Sequence, residues 1–216
     1  MLYCNNILHL LQARSIVSPM SPRPLEGSED FTRSLRLVGE LLEAEDTPYA
    51  IVIVGGAALN LLGIVARATR DVDVIAVAVD PTKPRAIQPP PATFPEPVQR
   101  AIDTVARDLN LDPAWLNTGP AAQWRQGLPP GLEPRITWRR FAALTVGIVA
   151  RQDLIPLKLF AAADNSPSGP HARDLIGLQP TDAELARAAE WVKAQDASPE
   201  FPSLVDQVIE YVRAHR

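Results

Sequence analysis

The chain is poor in the residues that staple or ligate. Its 216 residues hold one cysteine, Cys4, so an internal disulfide framework is excluded. Three scattered histidines, His9, His171 and His215, do not form a Cys/His zinc site with it. Any metal would therefore be held mainly by carboxylates. Positive charge is not in excess either: the net charge is -4 and the pI is near 5.4, which argues against a protein that coats nucleic acid through overall charge. No basic stretch precedes the partly apolar residues 1–12, so a signal peptide is not expected and the cytoplasm is the expected compartment. One charge-free stretch, Thr47–Ala66, has the length of a membrane span. Gly55-Gly56 interrupts it and Asn60 lies near its centre, while Ile51-Val52-Ile53-Val54 is β-branched and reads as a buried strand. No membrane association is expected.

What is present is an ordinary globular balance, 46% hydrophobic and 21% charged, in a chain long enough to bury one core. The 22 prolines punctuate it. Residues 1–27 read as an N-terminal extension ending in Pro19, Pro22 and Pro24, with Met20 as an alternative start and residues 1–19 adding little to the core. Ser28 is the expected N-cap of a helix carrying Phe31, Leu35, Val38 and Leu42 on one face. A strand Ala50–Val54, a Gly55-Gly56 turn, a short helix to about Ile64 and a second strand Asp71–Val79 follow. After a proline-rich linker (81–97), Val98, Ile102, Val105 and Leu109 mark another helix. The loop-rich stretch 111–134 leads to β-prone runs at Ile136–Trp138 and Leu144–Val149. Asp153 is the expected N-cap of a helix over Leu154–Ala163 with Pro156 in its first turn, and Thr181–Glu184 is a capping box. The order predicts an α/β (α+β) fold: a small mixed sheet flanked by helices over residues 28–164, then a helical region over 165–216.

The chemistry concentrates in Val54-Gly55-Gly56-Ala57 and Arg67-Ala68-Thr69-Arg70-Asp71-Val72-Asp73. Side chains alternate along a strand, so Asp71 and Asp73 share one face, about 6.6 Å apart at Cα, while Val72 and Val74 face the core. Two carboxylates so placed can share hard cations through oxygen, including the two-metal arrangement of phosphoryl displacement. The Gly-Gly turn lets backbone N–H groups approach phosphate oxygens, and Arg67 and Arg70 add positive charge. Either motif alone is usually a turn or a solvated strand edge; their ordered occurrence is far more specific. A dinucleotide-binding Rossmann unit is disfavoured, because Gly55, Gly56 and Gly63 miss the G-x-G-x-x-G spacing and the paired acids open the second strand.

These residues resemble the nucleotidyltransferase fold, in particular the AbiEii/AbiGii toxin-like nucleotidyltransferases, where a Gly-Gly or Gly-Ser turn precedes R-x-[ST]-x-D-[IV]-D. Arg67, Thr69, Asp71 and Asp73 match it position by position. Downstream, Lys158-Leu159-Phe160-Ala161, Arg173-Asp174-Leu175-Ile176-Gly177-Leu178 and Pro180-Thr181 match the family's K-L-x-A, D-L-x-x-L and P-T segments. The resemblance spans about residues 30–195. It implies that Asp71 and Asp73 bind Mg²⁺ (or Mn²⁺) and a nucleoside triphosphate, with Gly55 and Gly56 cradling phosphates. It further implies that Lys158 contacts the triphosphate and Asp174 completes the site. Without it, Lys158 reads as a snorkelling lysine and Asp174 as a helix N-terminal acid.

The implied reaction is nucleotidyl transfer to an RNA, such as tRNA, or to a protein, in a toxin paired with an antitoxin protein. The chain departs from the pattern at three points. Ala57 replaces a hydroxyl residue, Leu144–Val149 carries no third acid, and the loop 164–170 is Ser/Pro-rich instead of basic. These departures favour an alternative, a nucleotide-binding or interaction module of the same fold without turnover.

Overall fold

The computed structural model describes residues 21–216. The readings made for residues 1–19 and Met20 lie outside the described residues. A six-stranded mixed sheet carries the first two thirds of the chain. Its strands are β1 (Tyr49–Val54), β2 (Val72–Ala78), β3 (Ile87–Gln88), β4 (Leu116–Asn117), β5 (Thr137–Phe141) and β6 (Leu144–Ile148). The order is β3-β2-β1-β6-β5, with β4 pairing β2 as well. β1 runs antiparallel to β2 and parallel to β6. The antiparallel β1–β2 pair excludes a Rossmann βαβ unit, which needs parallel neighbours.

Helices α1 (Gly27–Ala44), α2 (Gly55–Leu61), α3 (Glu96–Leu109) and the short α4 (Gln123–Gln126) accompany the sheet. The helical region consists of α5 (Arg151–Asn165), α6 (Pro170–Gly177), α7 (Asp182–Lys193) and α8 (Phe201–His215). Helix α1 turns Phe31, Leu35, Val38 and Leu42 inward and packs on α3 and the β5–β6 hairpin. Helix α5 is the hub of the C-terminal part, packing against α6, α7 and α8 and touching α2. The hydrophobic core is continuous from Leu25 to Val212, so sheet and helical region share one interior. No described helix is long and apolar enough to cross a membrane.

Several local expectations are corrected. Leu25 is fully buried and pairs with Thr69, and Arg23 binds Asp30, so the packed chain begins before residue 28. Helix α1 starts at Gly27, which puts Ser28 inside it instead of at its cap. Helix α5 starts at Arg151, so Pro156 lies in its interior and Asp153 in its first turn. Buried Asp153 does not cap; it takes Arg135 in a two-pronged ion pair, with Nε donating at 2.9 Å. The capping box of Thr181 and Glu184 forms as expected, with Glu184 also held by Arg151. Two short strands arise in the segments read as linker and loop, β3 and β4. They share the outer edge of β2, β3 at its end and β4 at its start.

Candidate active site

The start of β2 is where the site is assembled. Asp73 pairs across the sheet with Val54 of β1 on one side and with Asn117 of β4 on the other. A bulge opposite Val52/Ile53 makes Ile75 the extra residue of β2, and the Ile75 carbonyl accepts the Trp124 indole N–H. That bond ties the 119–126 segment over the sheet. Asp71 sits just ahead of the strand, its Oδ1 accepting from Thr69 Oγ1 at 3.0 Å.

The two glycines are fitted to these side chains. Gly55 has φ +73, and a Cβ there would lie 2.6 Å from Asp73 Oδ2. A Cβ on Gly56 would lie 3.1 Å from Arg67 Nη2 and 3.2 Å from Thr69 Oγ1. Asn60, buried one turn further along α2, donates from Nδ2 to the carbonyls of both Gly56 and Arg67. The Gly-Gly turn and the R-x-T-x-D-x-D segment are therefore one packed unit. Asn60 is a residue of this unit that motif reading missed; its signal was a lone amide in an otherwise apolar stretch.

Lys158 and Asp174 arrive from α5 and α6. Lys158 Nζ donates to Asp174 Oδ2 at 2.6 Å, with side chains only 7% and 2% exposed. Arg67 grips the same carboxylate, Nε to Oδ1 and Nη2 to Oδ2, both at 2.8 Å. Burial alone would push Asp174 up, but the bonds and charges of Arg67 and Lys158 outweigh it and hold the carboxyl below its ordinary range. Asp174 thus orients two cations, Arg67 and Lys158. Arg70 is exposed and makes no side-chain hydrogen bond among the described residues.

Asp73 behaves in the opposite way. Burial, and then the charge of Asp71, push it up to about 6, although Lys158 and the Asn117 amide pull it back. Gly55, Asp73, Lys158 and His171 line one cavity of about 440 Å³ with an apolar wall of Ile75, Leu154, Leu157 and Phe160. Among the described residues, no group of three or more His, Cys, Asp or Glu gathers as a metal cluster. The carboxylate pair still fits the chemistry of a divalent cation. Mg²⁺ commonly takes one or two protein carboxylates and fills its remaining positions with water and substrate phosphates. A cation would also relieve the repulsion that raises Asp73. The strand paired with β2 at this point is β4, and its residue opposite Asp73 is Asn117, an amide and not a carboxylate.

A family model described as "Nucleotidyltransferase of unknown function (DUF6036)" matches residues 33–166. No curated protein and no solved structure matches the chain. The matched span contains the Gly-Gly turn, Arg67, Asp71, Asp73, Asn117 and Lys158, and it stops short of His171 and Asp174. With well over half of the sequence inside that match, the chain belongs to this nucleotidyltransferase family.

Proposed function

We propose that the chain transfers a nucleotidyl group from a nucleoside triphosphate to an acceptor, with Mg²⁺ or Mn²⁺ as cofactor. The observation that carries this reading is the seat of Asp73: a carboxylate raised to about 6 by burial and Asp71, on a glycine that admits no side chain, beside Lys158. Asp71 and Asp73 would hold the cation, which supplies neutralisation of the triphosphate and of charge developing on the leaving group. Gly55 lines the cavity, where its backbone would meet the phosphates, and Gly56 behind it keeps Arg67 and Thr69 packed against the turn. Lys158 provides a compact positive charge on the same cavity, and Asp174 fixes its direction together with that of Arg67. The apolar wall of Ile75, Leu154, Leu157 and Phe160 suits the flat face of a nucleobase. An oxygen of the acceptor attacks the α-phosphorus in line, and pyrophosphate leaves.

The likeness to AbiEii/AbiGii toxins extends the reading to an RNA acceptor, tRNA among them, or a protein acceptor, and to a cognate antitoxin as partner in the cytoplasm. A second reading, a module that binds nucleotide without turnover, is favoured by Asn117 beside Asp73 and by the full commitment of Asp174 to ion pairs. The test is incubation of the protein with each of the four labelled triphosphates and Mg²⁺ or Mn²⁺, with total RNA and alone. Label transferred by the wild type and lost in Asp73→Asn supports the enzyme. Triphosphate binding without transfer selects the module, and absence of binding overturns both.

A further inference from the structure

One group on the cavity lies outside both the sequence motif and the family match. His171 is the second residue of α6 and half-buried, and it lines the same space as Gly55, Asp73 and Lys158. Its Nδ1 is enclosed and has no hydrogen-bond partner among the described residues. A histidine held for structural reasons ordinarily bonds through its buried nitrogen, so this ring is not committed to the scaffold. Asp174 lies one turn along the same helix, which puts both residues towards α5.

Nucleotidyl transfer to a hydroxyl needs a proton acceptor, and the carboxylates of the site are otherwise engaged. Asp71 and Asp73 face the cation in the reading above. Asp174 is bonded to Arg67 and Lys158. Asn117 has no basic atom at neutral pH. Among the described residues, two groups on the cavity remain: His171, half-buried, and Asp164, exposed and reached across the Ser166–Gly169 loop.

We propose that His171 is the proton acceptor of the transfer reaction. This rests on the nucleotidyltransfer reading. The acceptor O–H bond breaks and its proton passes to Nε2 of the His171 imidazole, the ring nitrogen that is not enclosed. The oxygen forms a bond to the α-phosphorus, the bond from that phosphorus to the α–β bridging oxygen breaks, and its electron pair leaves with pyrophosphate. No further reactant is required. The ring is suited to the task because it stays neutral. Burial and then Lys158 disfavour the imidazolium, Arg67 adds to them, and Asp174 opposes; the result lies below the ordinary 6.5. The other charged groups facing the cavity are Asp73 from β2 and Asp164 from α5. A neutral imidazole within this set can accept a proton at physiological pH and release it to water afterwards.

The test compares wild type, His171→Gln, His171→Ala and Asp164→Asn in single-turnover transfer over pH, with triphosphate affinity measured in parallel. Both His171 variants are expected to lose about 10²-fold in turnover, the lower range for a general base, with triphosphate affinity unchanged. Wild-type turnover should fall on acidification, and that limb should vanish in His171→Gln. Raising Mg²⁺ should not move it, whereas a limb from Asp73, which competes for the cation, would shift. Free imidazole should restore part of the His171→Ala rate; His171→Gln keeps a polar side chain of similar reach should the alanine variant fail to fold. Turnover within twofold of wild type in His171→Gln, or loss of the acidic limb in Asp164→Asn instead, overturns the role alone. No transfer by the wild type overturns the underlying reading together with it.

Discussion

The carboxylate of Asp174 is a test of how the site is held together. Asp174→Ala removes the acceptor of Lys158 Nζ, which then lies in a pocket where its side chain is 7% exposed. Breaking a buried pair by deleting one partner costs about 3–5 kcal/mol, because the other charge is left without compensation. The Arg67 half adds little to that figure: its side chain is 37% exposed, and solvent screens such contacts to about 1 kcal/mol or less. Against a stability of about 5–15 kcal/mol for a domain, the loss is a large fraction of the whole. The assay is urea unfolding at pH 7, read as a fall in midpoint at constant slope. A second variant separates pairing from packing. Asp174→Leu combined with Lys158→Met removes both charges, and it should recover most of what Asp174→Leu alone loses.

The pH dependence has a definite sign. The folded-state pKa of Asp174 is depressed, so its contribution is present above the ordinary 3.8 and is lost as pH falls through the folded value. The wild type should therefore lose this increment in acid, and Asp174→Ala should lack it. A single variant within about 1 kcal/mol of wild type, or a double variant no more stable than Asp174→Leu, would refute the reasoning, since a loss that small is typical of an exposed pair.

Other outcomes follow from the same geometry. Asp73 titrates near 6 in the folded chain against 3.8 unfolded, so its favourable contribution is full below 3.8 and is lost as pH rises through about 6. Asp73→Asn should accordingly stabilise the cation-free protein at pH 8, by at most about 3 kcal/mol for a carboxyl raised from 3.8 to about 6, and by nothing at pH 3; thermal melts at the two pH values decide it. Gly55→Ala places a Cβ 2.6 Å from Asp73 Oδ2 at φ +73 and should cost about 1–3 kcal/mol while weakening triphosphate binding, measured by calorimetry. Gly56→Ala meets Arg67 Nη2 and Thr69 at 3.1–3.3 Å without the positive φ or the 2.6 Å approach of Gly55, so its effect should be smaller. Asp153→Ala breaks the pair with Arg135 away from the cavity and should lower stability by more than the roughly 1 kcal/mol of a lost cap, without changing triphosphate affinity.

Elements with strong local signals were legible. The β-branched run became β1, the period of Phe31 to Leu42 became the buried face of α1, and Thr181 with Glu184 capped α7. Where pairing depends on distant partners, reading along the chain failed. Strands β3 and β4 are two residues each, too short to show alternation, and exist because the outer edge of β2 needs hydrogen-bond partners. Asp153 has the chemistry of a cap, but Arg135 arrives from another segment and claims its carboxylate; the helix then begins ahead of it.

The site divides along the same line. Asp71, Asp73 and the glycines lie within one short segment, and their alternation and turn chemistry are local facts. Lys158 and Asp174 are separated by 16 positions, within reach of a helix–loop–helix argument, but the grip of Arg67 on Asp174 spans 107 positions. That contact decides what Asp174 is. Alone, an aspartate near a helix start is equally a dipole partner or a metal ligand. With both oxygens engaged by Arg67, and Oδ2 bonded to Lys158 as well, it sets the direction of two cations, Arg67 and Lys158. The packing of α6 on α5 that seats Asp174 also brings half-buried His171 to the cavity. A missing third acid on a strand is therefore weak evidence of lost catalysis, because a proton acceptor can be delivered from the helical region instead.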